Sequence, residues 1–166
     1  MCAHIPSPRA LQTSIRRWIG NEQWNRPFAV TLTMKQGQMM HDGDRQLYVA
    51  LTPEIASQNL RHFLNVLNRK VFGSASKRHG KRVNSVAVLE GGNGKRLHYH
   101  LILDCPRDEQ IGMFPLLIDR AWQSTNWSYD LIDIKQCDDG WLNYMTKLRD
   151  KPDFASSFDW MNTALN

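Results

Sequence analysis

The chain has 166 residues, 42% of them apolar and 22% charged. That is the length of one ordinary domain, too short for two sizeable ones, and apolar enough to exclude wholesale disorder. Lys and Arg number 21 against 16 Asp and Glu, a net charge of +5, which points to a polyanionic partner, most often nucleic acid.

Three widely spaced cysteines, Cys2, Cys105 and Cys137, form no CxxC pair, so neither a disulfide framework nor a cysteine zinc site is expected. The N-terminal residues lack a continuous apolar run, and no stretch approaches the roughly 20 apolar residues that span a bilayer. The expectation is a cytoplasmic, reduced protein without a membrane partner. Residues 1–166 read as a single domain, with a core at about 27–150, a first helix at 8–19 and a tail at 152–166.

Ser7-Pro8 reads as a helix cap, after which Leu11, Ile15, Trp18 and Ile19 recur at helical spacing. Phe28 to Met34 alternates apolar residues with Ala29, Thr31 and Thr33, as a strand does. His41-Asp42-Gly43-Asp44 signals a turn, and Tyr48 in QLYVAL reads as strand packing. Thr52-Pro53 opens a second helix whose buried stripe is Leu60, Phe63, Leu64, Leu67 and Val71. Gly73 to Arg82 reads as an exposed basic loop. Asn84–Glu90 and Leu97–Asp104 form a hairpin around GGNGKR. A helix at Ile111–Trp122, a strand at Tyr129–Lys135 and a helix at Trp141–Arg149 follow. The class is α+β: an antiparallel sheet with helices mainly on one face, ferredoxin-like once the first helix is set aside.

Three patterns carry chemistry. His98 and His100, at i and i+2 of a strand, project to one face. If Glu90 lies opposite His98 across the hairpin, Val88 faces His100 and the carboxylate joins the imidazoles, with cross-strand Cβ atoms about 5 Å apart. Such a mixed N and O set suits Mn²⁺ or Mg²⁺. Tyr144 and Lys147, three apart on the last helix, are neighbours on its surface. A free phenol has a pKa near 10, so a nearby ammonium and a metal-bound phosphate would assist its attack.

Basic residues follow the second helix at Arg69, Lys70, Lys77, Arg78, Lys81 and Arg82, and Lys95 and Arg96 sit at the hairpin tip. All could track a nucleic-acid backbone. Thr31 and Thr33 line the same groove or pair across strands. Trp18, Trp122 and Trp141 read as core, whereas Trp24 and Trp127 are candidates for base stacking.

With FAVTLTM at 28–34, LHYHLIL at 97–103 and WLNYMTKL at 141–148, the sequence resembles the HUH superfamily of single-strand DNA nickases, most of all its rolling-circle replication initiator (Rep) branch. The resemblance implies attack by Tyr144 on single-stranded DNA, for example at a hairpin origin, leaving a 5′-phosphotyrosine and a free 3′-OH. It implies His98 and His100 as metal ligands, Glu90 as the third, and Lys147 near the scissile phosphate. Many such initiators carry a helicase domain, for which 166 residues leave no room, so helicase and polymerase are expected from the host or the element. The alternatives are a single-tyrosine transposase of the same superfamily, which typically has glutamine where Lys147 stands, and a non-catalytic ferredoxin-like nucleic-acid-binding domain.

Overall fold

The computed structural model describes residues 6–92, 94–149, 151 and 153–165. Cys2 and Asn93 of the GGNGKR turn lie outside them. Helix α1 (Pro8–Gly20) is capped by Ser7, whose Oγ accepts the Ala10 N–H at 3.3 Å. It is followed by β1 (Pro27–Met34), β2 (Gly37–Asp42) and β3 (Arg45–Ala50). Next come α2 (Pro53–Phe72), capped by Thr52, and the single turn α3 (Ala75–Arg78). Then β4 (Ser85–Gly92), β5 (Lys95–Asp104), α4 (Phe114–Gln123), β6 (Ser128–Gln136), α5 (Asp139–Met145) and α6 (Phe154–Ser157) complete the chain.

The main sheet is antiparallel throughout, in the order β4-β5-β1-β6. With the β2–β3 hairpin set aside, β1, α2, β4, β5, α4 and β6 make the split βαβ arrangement of ferredoxin-like folds. Strand alternation divides the sheet into two faces. On one, Phe28, Val30, Leu32, Tyr99, Leu101 and Leu103 pack against Leu60, Phe63, Leu67, Ile118 and Trp122 of α2 and α4. On the other, Ala29, Val86, Val88 and Ile102 meet Ile15 and Ile19 of α1, Trp141 and Met145 of α5, and Phe154 of α6. The two longer sheet-packed helices share a face as expected. The opposite face carries the added helices α1, α5 and α6, because its β4 and β5 positions are apolar too.

Four further expectations change. The stretch after Lys35 forms a separate two-stranded sheet, in which Tyr48 is exposed and its hydroxyl end lies over Gly37 of the paired strand. The basic segment after α2 contains α3 rather than only loop. Trp18 is 42% exposed and packs on Trp160, and Trp127 is 5% exposed and belongs to the α2/α4 core. The Trp127 backbone N–H is drawn in by Asn59 Oδ1, so its ring is unavailable for base stacking. Trp24 is half-buried and donates its indole N–H to Ile19 O.

The β4–β5 register pairs Val88 with His100 and Glu90 with His98, as the hairpin arithmetic requires. It is interrupted just beyond Glu90, where Gly91 adopts φ +113°. A Cβ there would meet Arg96 O at 2.4 Å, so only glycine fits. Gly91→Ala should therefore lower stability by about 2 kcal/mol in denaturant unfolding. Gly20→Ala, with open space around the added carbon, should leave stability unchanged or raise it by up to about 1 kcal/mol.

Candidate active site

The sheet brings five polar side chains to one patch. Thr31 pairs with His100 and Thr33 with His98 across β1–β5, while Glu90 reaches them from β4. One ligand atom from each of Glu90, His98 and His100 lies within 4.8 Å of the others. His98 Nε2 is 3.2 Å from His100 Nε2, which is 2.9 Å from Glu90 Oε2. His100 and Glu90 are 3% and 7% exposed.

Hydrogen bonds outside the cluster orient the rings. His98 Nδ1 lies 2.9 Å from the Arg96 carbonyl, which can only accept, so Nδ1 carries the proton and Nε2 is a bare donor of electrons. His100 Nδ1 meets Thr31 Oγ1 at 3.1 Å. That hydroxyl can donate or accept, so His100 can turn Nε2 to Glu90 as an N–H or offer it bare to a cation. Burial first, then the neighbouring His98, push the His100 pKa down to about 4, keeping the ring neutral at neutral pH. Glu90 Oε2 is buried and lacks a well-formed hydrogen bond despite the nearby imidazole. Two imidazole nitrogens and an undersatisfied carboxylate oxygen fit a divalent cation such as Mn²⁺ or Mg²⁺.

Helix α5 lies across this patch. Asp138 caps its N-terminus through Oδ1, which accepts the Gly140 N–H at 3.0 Å, and Trp141 Nε1 donates to Leu101 O of β5 at 3.0 Å. Tyr144 stacks on Trp141 and stands edge-on to His100, with centroids 5.4 and 5.1 Å apart, while remaining 47% exposed. The helix ends at Met145, four residues before the sequence pattern suggests. Side chains distant in sequence take its terminal carbonyls. Arg16 donates to Asn143 O at 3.2 Å, Gln12 to Thr146 O at 2.7 Å, and Lys151 to Met145 O at 3.0 Å. Cations at a helix C-terminus also oppose its dipole.

Lys147 thus sits just beyond the helix yet stays with Tyr144, its Nζ 4.1 Å from the ring centroid. The same Nζ is 2.9 Å from Glu90 Oε1. Burial pulls the Lys147 pKa down, but the Glu90 carboxylate outweighs it, so the ammonium titrates above its ordinary range. Burial likewise pushes Glu90 up, and Lys147, Lys151 and His100 together hold it below the usual carboxylate range.

The basic residues separate into two groups. Arg96 borders the cluster, its guanidinium 4.7 Å from the Tyr129 ring centroid, and Lys95 pairs with Gly92 in the same turn. Lys77, Arg78, Lys81 and Arg82 precede Ser85, toward the other end of β4, about 17 Å of strand from Glu90. They are exposed and not part of the cluster. Thr33 is buried, and the Thr31 hydroxyl is engaged with His100, so neither forms an open groove wall. Lys151 is a site residue that sequence reasoning missed: nothing about DKPD marks a lysine for burial. Among the described residues, no helix is long and apolar enough to cross a membrane.

The family model for the replication-associated protein ORF2 matches residues 27–153. No curated protein and no solved structure matches the chain. The family match spans most of the sequence, from the first strand of the main sheet past Tyr144, Lys147 and Lys151, and the chain belongs to this family of replication-associated proteins.

Proposed function

We propose that this protein is a metal-dependent nickase and strand-transferase that initiates rolling-circle replication, with Tyr144 as the single nucleophile. The observation that carries the reading is the meeting of Tyr144 and Lys147 with the Glu90–His98–His100 cluster, against an exposed tyrosine ring. Membership of a replication-associated family supports DNA as the partner.

In this reading an unpaired DNA strand crosses the patch beside α5. Tyr144 Oη attacks a phosphodiester phosphorus. The Oη–P bond forms, the P–O3′ bond breaks, the phenol proton is lost, and the departing 3′ oxygen takes up a proton. The DNA retains a 5′-phosphotyrosine link and a free 3′-OH, and the reverse reaction rejoins a strand. Glu90, His98 and His100 would hold the Mn²⁺ or Mg²⁺, which when bound supplies Lewis-acid polarisation of a phosphate oxygen. Lys147 offers a fixed positive charge beside the ring. Lys95 and Arg96 are the nearer DNA contacts, while Lys77, Arg78, Lys81 and Arg82 would meet DNA away from the scissile phosphate. A helicase and a polymerase from the host or the element would unwind and copy the strand.

Incubated with Mn²⁺ and a randomised single-stranded DNA pool, the protein should form an adduct that survives SDS. Tyr144→Phe should abolish it while DNA affinity stays within about twofold. An adduct in the variant would remove Tyr144 from the mechanism, and retained binding with no adduct in the parent would favour a non-catalytic DNA-binding domain. His98→Ala combined with His100→Ala should weaken Mn²⁺ binding in calorimetry by about 100-fold or more, and Glu90→Gln by about tenfold. Unchanged Mn²⁺ affinity in either variant would refute that ligand assignment.

A further inference from the structure

We propose that Lys151, a buried cation between the end of α5 and the Glu90 carboxylate, positions the Tyr144–Lys147 turn and weakens the hold of the Glu90–His98–His100 cluster on a metal ion. The catalytic part of this inference rests on the nicking reading above; the metal-binding part does not.

Lysine is among the residues least often fully buried, and an ammonium removed from water needs partners. The Lys151 side chain is 1% exposed. Its Nζ donates to Met145 O at 3.0 Å and to Lys147 O at 3.1 Å. These two carbonyls bracket Thr146, on the turn that carries Lys147 away from the tyrosine helix. The turn has no continuing helix to hold it, so side-chain donors do so. Arg16 and Gln12 approach from α1, and Lys151 approaches from the Glu90 side.

The second consequence is electrostatic. Lys151 Nζ stands 4.0 Å from Glu90 Oε2, the oxygen that also faces His100, while Lys147 occupies Oε1. One carboxylate therefore answers two ammonium groups. A dication entering between Glu90 and the imidazoles meets positive charge close behind its only anionic ligand, and the charges repel in a poorly screened interior. Lys151 thus supports the nucleophile's turn and lowers metal affinity, two effects that an inert packing residue would not separate.

The test uses the full chain with Lys151→Met, which keeps most of the stem and removes the charge. Mn²⁺ affinity is measured by calorimetry, and adduct rate on a randomised single-stranded DNA pool. The expected result is opposite signs: Mn²⁺ binds about tenfold more tightly, whereas adduct formation slows at least about tenfold. Lys151→Arg, retaining charge and donors, should hold Mn²⁺ affinity near the parental value and recover part of the rate. If Lys151→Met does not remain folded, Lys151→Gln, which keeps an N–H donor, carries the Mn²⁺ comparison. Mn²⁺ affinity unchanged or weakened in the neutral variants overturns the electrostatic role, and a parental adduct rate in a folded Lys151→Met overturns the positioning role. A parent that forms no adduct counts against the nicking reading, while the Mn²⁺ comparison still decides the charge effect.

Discussion

The Glu90 carboxylate joins the parts of the site. It lies at the end of an edge strand, buried, with Lys147 on one oxygen and His100 and Lys151 near the other. Without it, a buried ammonium and a half-buried one would lose their anionic neighbour, and the two imidazoles would lose the oxygen that completes their cluster. Its position depends on the backbone irregularity at Gly91, which comes so close to Arg96 O that no side chain fits. That same Arg96 carbonyl holds His98 in its ligand tautomer. One glycine thus governs the placement of both a carboxylate and an imidazole.

Apolar packing supplies the rigidity around this polar patch. Trp141 is the hinge between the two: its indole N–H is tied to β5, one face carries Tyr144, and its edge meets His100. The tyrosine ring is held by stacking while almost half its surface remains open. Rigid support with an accessible hydroxyl is what in-line attack on a phosphate demands. On the opposite face of the sheet, α2 and α4 form a larger core that includes no site residue.

Much of this was legible from local rules. The i, i+2 spacing of His98 and His100 sets them on one face, and counting back across the hairpin brings Glu90 to them, because strand periodicity has little freedom. Caps at Ser7, Thr52 and Asp138 mark helix starts by short-range bonds. What was not legible depends on distant partners. The end of α5 is decided by Arg16, Gln12 and Lys151, none of which is near it in a helical pattern. Thr31 looks like a groove residue until the register sets it beside His100. Trp127 looks like a loop aromatic until Asn59 and the core claim it.

The central claim is that chemistry occurs at Tyr144 and not at another accessible phenol. Tyr48 and Tyr129 are also exposed, at 69% and 42%, but Tyr48 lies on the separate hairpin and Tyr129 beneath the Arg96 guanidinium. The direct measurement is peptide mass spectrometry of the Mn²⁺-dependent adduct after nuclease trimming. The account predicts a nucleotide mass on the peptide carrying Tyr144, with fragment ions placing it on that side chain. A nucleotide on Tyr48 or Tyr129, or no modified peptide at all, would contradict it.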